Sequence, residues 1–220
     1  MNQDDLTRII HCDPWKFFIQ PDYFIDKNAL KITHEGIYSI TKPYYAKKMA
    51  KIIAKHIQDK PHQYTITDAT SNVGGNTIGF LLEGFKVNAI EINKTTCDIL
   101  TNNISIYKIK PNKYTIFCED YIKIYEQLKQ DIVFIDPPWR DYDYTHDKAL
   151  DLHLSGINII DICNTLFDNN AVKLIVLKLP CNYKYSKLFM KIKVNTFEVY
   201  KFYLGRINCF NICLCFDLDM

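Results

Sequence analysis

The chain has 220 residues, 48% hydrophobic and 24% charged, with a formal net charge of +2 at pH 7. That length suits one substantial domain, and that balance can bury a sizeable core, which excludes an intrinsically disordered protein. The longest apolar runs fall far short of a membrane span, and Met1–Asp5 has neither a basic start nor an apolar core, so neither a membrane protein nor a signal peptide is expected.

Residues 1–40 read as an irregular, aromatic-rich extension carrying Trp15, Phe17, Phe18, Tyr23, Phe24 and Tyr38. A helix is predicted from Thr41, with Thr41 as its cap and Pro43 in its first turn. Tyr45, Met49, Ile52, Ile53, His56 and Ile57 mark its apolar face, and Pro61 ends it. The chain then alternates. Strands are predicted at Tyr64–Ala69, Lys86–Ile92, Tyr114–Cys118, Ile132–Ile135 and Val172–Leu179. Helices are predicted up to Leu82, then at Lys94–Tyr107, Tyr121–Lys129, Ile157–Phe167 and Tyr185–Lys191. Two final runs, Val194–Leu204 and Arg206–Leu218, flank Gly205 and read as a hairpin. Such alternation predicts a doubly wound, mostly parallel α/β sheet with an antiparallel C-terminal hairpin. The one boundary is near residue 40, giving an extension over 1–40 and a main domain over 41–220.

The net charge of +2 does not itself announce nucleic acid, which needs a patch rather than a total. Cys12, Cys97, Cys118, Cys163 and Cys181 are scattered with no C-x-x-C pair, and Cys209, Cys213 and Cys215 share a face of one predicted strand. Buried core thiols are expected rather than a soft-metal site, and free thiols suit a reducing intracellular compartment. The six histidines form no ligand spacing, so no metal is expected.

Four loops follow predicted strands, where open α/β sheets bind ligands. The first, Asp68–Phe80, reads DATSNVGGNTIGF. Gly74 and Gly75 permit a tight turn and close ligand approach before a helix N-terminus with free N–H groups. It is not the G-x-G-x-x-G fingerprint, and a tight βα turn without ligand would use the same glycines. The second strand ends in Glu91, spaced to accept hydrogen bonds from two ribose hydroxyls. The third ends in Asp120, placed either to accept an adenine amine or to cap the next helix. The fourth leads into FIDPPW. Attack by the exocyclic amine of a nucleobase requires its nitrogen to become more tetrahedral. The Asp136 carboxylate and the Pro137 carbonyl can accept its N–H bonds in that geometry, while Trp139 stacks on the base. The prolines hold these acceptors rigid.

Together these motifs resemble class I S-adenosylmethionine-dependent methyltransferases, and more narrowly the trimethylguanosine synthases, which methylate the N2 amine of a 7-methylguanosine RNA cap. DATSNVGGNTIGF is similar to that family's D-x-F-C-G-V-G-G-N-T-I-Q-F, HEGIYSIT (34–41) to its R-E-G-W-F-S-V-T, and DPPWRDYDY (136–144) to its S-P-P-W-G-G-P-D-Y. VLKLP (176–180) resembles its F-L-P segment. The resemblance runs from about residue 30 to the C-terminus and implies a seven-stranded Rossmann-like sheet. It implies that Asp68, Gly74, Gly75, Asn76, Glu91, Asp120 and Asp136 hold S-adenosylmethionine, with Tyr38 and Thr41 closing over it. Asp136, Pro137 and Trp139 would carry the reaction. Trp139, Arg140, Tyr144 and Lys42 would bind the capped RNA, the aromatic extension would help form the cap pocket, and Lys16, Lys47 and Lys48 are further candidates for cap phosphates. Solvated helix faces account for the same lysines. With no secretion signal and free thiols, an intracellular protein of the cytoplasm or nucleus, cellular or viral, is expected, with a monomer as the favoured state.

The chain departs from the family pattern in three places: Asn72 for glycine, Asp136 for serine, and Arg140-Asp141 for Gly-Gly. They leave open a methyltransferase for another base amine, adenine N6 or an internal guanine N2 in RNA or DNA. They also leave open a degenerate cap- or RNA-binding protein. A ribose 2′-O-methyltransferase tetrad of Lys42, Asp136, Lys178 and Glu198 has the right order but leaves the prolines and tryptophan unexplained, and Lys178 is expected to be a surface lysine at a strand edge.

Overall fold

The computed structural model describes residues 8–10, 13–139, 151–194, 196–203 and 209–216. The chain divides into two compact units, Met1–Ile124 and Tyr125–Met220.

In the first unit, three short strands, β1 (Thr65–Asp68), β2 (Lys86–Ile90) and β3 (Tyr114–Phe117), pair in parallel, with Thr65 opposite Lys86 and Val87 opposite Tyr114. Helix α1 (His34–Ser39) precedes α2 (Pro43–His56), and α3 (Gly75–Glu83) and α4 (Lys94–Ile106) make the crossovers. Helix α2 buries Ala46, Met49, Ala50, Ile53 and Ala54 along one face, so that of the predicted apolar face only Met49 and Ile53 are buried and alanines take the remaining places. Its neighbour α3 comes close because Gly79 has no side chain. A Cβ there would stand 3.2 Å from the Ala46 carbonyl oxygen.

The extension before residue 40 is fastened to α4 and its C-terminal end by side-chain hydrogen bonds. Tyr107 Oη donates to the Ile19 carbonyl at 2.6 Å, and Tyr23 Oη donates to the Tyr107 carbonyl at 2.7 Å. Asn103, wholly buried, accepts from the Lys31 amide at 2.9 Å and donates to the Lys31 and Val73 carbonyls, both at 2.9 Å. The extension is therefore less irregular than its sequence suggests. It contains two 3₁₀ turns, Pro14–Phe17 and Lys27–Ala29, as well as α1, which Thr33 caps by accepting from the Gly36 amide.

The second unit carries β4 (Ile132–Ile135), a small hairpin of β5 (His153–Leu154) and β6 (Ile157–Asn158), then α6 (Ile159–Asp168), β7 (Leu174–Pro180), α7 (Tyr185–Lys191), β8 (Thr196–Tyr203) and β9 (Cys209–Phe216). Helix α5 (Tyr121–Ile124) closes the first unit. β4 and β7 are parallel, whereas β9 runs antiparallel to both β7 and β8. Every residue of β4 and β7 is buried, which explains their unbroken apolar runs. The units together supply a seven-stranded, mostly parallel sheet of order β3-β2-β1-β4-β7-β9-β8, ending in the predicted hairpin.

Four expectations need correction. The helix predicted from Ile157 starts at Ile159, because Ser155 and Gly156, with φ of 50° and 81°, turn a two-residue hairpin and Asn158 caps the helix. The helix predicted over Tyr121–Lys129 is α-helical only to Ile124 and then tightens to a 3₁₀ turn. Lys42, not Thr41, occupies the cap position of α2, and it makes no side-chain capping bond. The thiols are not all free: a disulfide joins Cys97 on α4 to Cys118 beyond β3, and Cys181 is also disulfide-bonded. Cys163, Cys213 and Cys215 are buried and free, as expected.

Candidate active site

The first half-site grows out of the β1–α3 turn. Asp68, wholly buried, shapes that turn: its Oδ2 accepts from Thr77 Oγ1 at 2.7 Å and its Oδ1 accepts from the Thr70 amide at 3.3 Å. Ser71 Oγ donates to the Asp68 carbonyl and accepts from the Ile90 amide, both at 3.0 Å, locking the turn to the end of β2.

Asn72 takes φ of 48°, a left-handed conformation that asparagine tolerates better than most residues. Its Oδ1 accepts from the Val73 amide at 2.7 Å, and its Nδ2 donates to Ser39 Oγ at 3.0 Å. Asn72 therefore holds a left-handed turn that a glycine would also allow, and it adds a tie to α1. Gly74 follows with φ of 102°, and α3 begins at Gly75.

Gly75 is required for a steric reason. A Cβ there would stand 2.6 Å from Ile40 Cγ1, so the Ile40–Thr41 segment rests directly on the loop. Thr41 Oγ1 and Asn76 Oδ1 are buried beside it without a hydrogen-bond partner. An unsatisfied buried polar atom costs about 1–3 kcal/mol, so two of them at a helix N-terminus fit a polar ligand that is held there.

Glu91 follows β2. Its Oε2 accepts from the Asn72 amide at 2.9 Å and its Oε1 from the Asn93 amide at 2.8 Å, fixing the carboxylate against the glycine loop. Burial pushes its carboxyl above the usual range despite those two bonds, and the charge of Glu35 adds to the rise. Each carboxylate oxygen retains acceptor capacity for a hydroxyl. Asp120 accepts from the Ile122 amide at 3.0 Å, the helix-capping role read from sequence. Tyr38 is 75% exposed with its ring against His34, and Lys42 is exposed.

The second half-site is built on β4 and β7. β4 ends at Ile135, opposite Leu177 in the parallel register, so Asp136 and Lys178 come next on adjacent strands. Lys178 Nζ donates to Asp136 Oδ2 at 2.5 Å, and only 7% of the Lys178 side chain and 17% of the Asp136 side chain are exposed. The expected surface lysine is therefore a buried partner of the motif acid. It interrupts a strand that is otherwise wholly apolar, which is the signal that could have revealed it.

The same ammonium lies 5.2 Å from the Trp139 ring centroid and 5.1 Å from that of Phe210, which stacks on Phe202 at 4.8 Å. Pro137 is buried, and Trp139 Nε1 is buried without a hydrogen-bond partner. Burial pushes the Asp136 carboxyl up, while Lys178 pulls it back. Arg140 and Tyr144 lie outside the described residues. Glu198 accepts from Tyr200 Oη at 2.6 Å and is opposite Leu214, itself paired with Val176 rather than Lys178. The strand register therefore does not bring it to the Lys178–Asp136 pair as a ribose-methylating tetrad would require. Among the described residues no group of His, Cys, Asp or Glu could hold a metal ion, and no helix is long and apolar enough to cross a membrane.

A family model described as RNA cap guanine-N2 methyltransferase matches residues 63–212. The chain is 30% identical over 197 residues to the uncharacterized protein L320 of Acanthamoeba polyphaga mimivirus, covering 79% of this chain and 77% of that protein. It is 28% identical over 162 residues to the trimethylguanosine synthase of Schizosaccharomyces pombe, covering 70% and 67%. Its fold is similar to that of a Pyrococcus horikoshii putative RNA methyltransferase, with a TM-score of 0.52, 18% identity, and coverage of 80% and 87%. A Thermus thermophilus 16S rRNA N2 G1207 methyltransferase, solved with AdoMet and guanosine, has a TM-score of 0.56 at 15% identity, with coverage of 83% and 45%.

Proposed function

This chain belongs to the RNA cap guanine-N2 methyltransferase family, and from that premise we propose that it transfers a methyl group from S-adenosylmethionine to the exocyclic N2 amine of a 7-methylguanosine RNA cap. The observation that carries this reading is the Asp136–Trp139 turn at the end of a buried parallel strand, inside the span the family model matches. A rigid carboxylate, a proline carbonyl and an indole in sequence suit an aromatic amine. They do not suit a hydroxyl.

The glycine-loop half-site supports the choice of donor. Glu91 would accept the ribose hydroxyls, and the start of α3 with Thr41 Oγ1 and Asn76 Oδ1 would receive the polar groups of the amino-acid moiety. Asp68 would act by shaping the loop, and Asp120 would accept from the base in addition to capping α5. When bound, the donor supplies an electrophilic methyl on a sulfonium. This chain's residues orient the attacking amine: Asp136 and the Pro137 carbonyl accept its N–H bonds, and Trp139 stacks on the guanine, worth about 1–3 kcal/mol. Lys42 and Arg140 would meet the cap phosphates, Tyr144 would line the pocket, and the aromatic extension would complete it. The reading requires no metal.

Asp136 in place of the family's serine favours one second reading, methylation of another exocyclic base amine in RNA or DNA, such as adenine N6 or an internal guanine N2. One experiment separates them: transfer of labelled methyl to three matched RNAs, capped with 7-methylguanosine, capped with unmethylated guanosine, and uncapped. Methylation at guanine N2 only on the first supports the cap reading. Equal transfer to uncapped RNA refutes it in favour of an internal base. A catalytically degenerate protein would bind cap without transferring label.

A further inference from the structure

We propose that Lys178 is a positioning residue of the acceptor half-site, holding the Asp136 carboxylate as a charged acceptor and fixing the Trp139 indole against its own ammonium. This rests on the base-amine reading above and deepens it.

Three observations converge on one side chain. Lys178 is buried within a strand whose six other residues are apolar. Its Nζ bonds Asp136 Oδ2 at 2.5 Å. Its charge sits 5.2 Å from the Trp139 ring centroid, within cation–π range. A buried ion pair is weak evidence for stability, since well-packed apolar residues of similar volume often serve the fold as well or better. An apolar residue at position 178 would also complete the run Leu174–Pro180. The pair is better explained by what Asp136 must do.

A carboxyl taken out of water favours its neutral form, which donates a proton where the base amine needs an acceptor. Lys178 opposes that change through both its charge and its hydrogen bond to the carboxylate. The pair also bears on substrate choice. A 7-methylated guanine carries positive charge, and an uncompensated ammonium against Trp139 would repel it. Asp136 cancels that ammonium, so the indole can receive a cationic base. Asp136→Asn should therefore weaken binding of a 7-methylguanosine cap analogue more than of the unmethylated one.

The test follows the Asp136 carboxyl by NMR across pH in ¹³C-aspartate-labelled protein, for the parent, Lys178→Met and Lys178→Arg. The parent carboxyl should stay ionised to lower pH than in Lys178→Met, with Lys178→Arg close to the parent. Methyl transfer to capped RNA by the same proteins should follow, its rising limb displaced to higher pH in Lys178→Met with an unchanged KM for the donor. Each tenfold fall in ionised Asp136 should lower the rate about tenfold. If Lys178→Met does not fold, the Lys178→Arg and Asp136→Asn/Lys178→Met proteins carry the test. The double variant should then show no displaced limb and should lose the discrimination seen with Asp136→Asn alone. An unmoved titration, an unmoved rate profile, or equal weakening of both cap analogues by Asp136→Asn would overturn the proposal. Should the parent transfer no methyl to capped RNA, the function above fails, and the titration and analogue binding still decide whether Lys178 governs Asp136 and Trp139.

Discussion

Gly75→Ala isolates the contact on which the glycine loop depends. The added methyl would stand 2.6 Å from Ile40 Cγ1, 3.2 Å from Ile40 Cδ1 and 3.5 Å from the Thr41 carbonyl oxygen. Carbon atoms prefer separations of about 3.5–4.0 Å, so Ile40 Cγ1 must retreat by about 1 Å. Overpacking of this kind costs about 1–3 kcal/mol. For a chain of this length that corresponds to a melting temperature lowered by roughly 2–12 °C. Because Ile40 continues into Thr41, whose Oγ1 lacks a partner, the displacement should also weaken S-adenosylmethionine binding by calorimetry. The Ile40→Ala substitution, made in the Gly75→Ala background, removes the clashing atoms and should recover most of both losses. A Gly75→Ala protein that melts and binds donor like the parent would refute the reasoning. So would losses that simply add in the double variant, since residues in direct contact should couple.

Glu91→Gln should lower donor affinity by about 1.5–3 kcal/mol, roughly 10- to 150-fold by calorimetry, because a charged acceptor of two hydroxyls becomes neutral. Since burial raises the Glu91 carboxyl, its contribution to stability is full below the ordinary value of 4.5 and is lost as pH rises through the raised one. Chemical denaturation of the donor-free protein should therefore show a decline across that window that Glu91→Gln removes. Trp139→Ala should reduce capped-RNA binding by about 1–3 kcal/mol and slow transfer while leaving donor affinity intact; unchanged transfer would remove Trp139 from the site. Asn72→Gly should keep the loop and donor binding, whereas Asn72→Val should cost about 1–2 kcal/mol in denaturation because valine resists φ of 48°.

The sheet was legible because its evidence is local. The apolar runs of β4 and β7 are buried on both faces, and the glycine-loop residues sit at the turn their sequence demands. The place of Glu91 against the glycine loop was legible because it directly follows a strand whose neighbour leads into that loop. Lys178 was misplaced because sequence cannot say that β7 lies interior, between β4 and β9, where a lysine has no solvent to reach. The β5–β6 hairpin was missed because four strand residues are too few to show alternation, although Ser155-Gly156 followed by Asn158 spells turn and cap. Ser39, Ile40 and Asn103 matter through partners more than thirty positions away, or thirty in the case of Val73, and no periodicity reports such contacts.

Asn103 has a bearing on how the protein can be divided. One amide group satisfies Lys31 of the extension in both directions and also holds Val73 of the glycine loop. The extension is thus a splint on the loop, although it precedes residue 63, where the family match begins. Cutting the chain at residue 40 would remove both Lys31 bonds and leave the Asn103 amide with only Val73 and Asn102 as partners. A fragment trimmed to the recognisable methyltransferase segment should therefore keep its sheet and lose the rigidity of its donor loop.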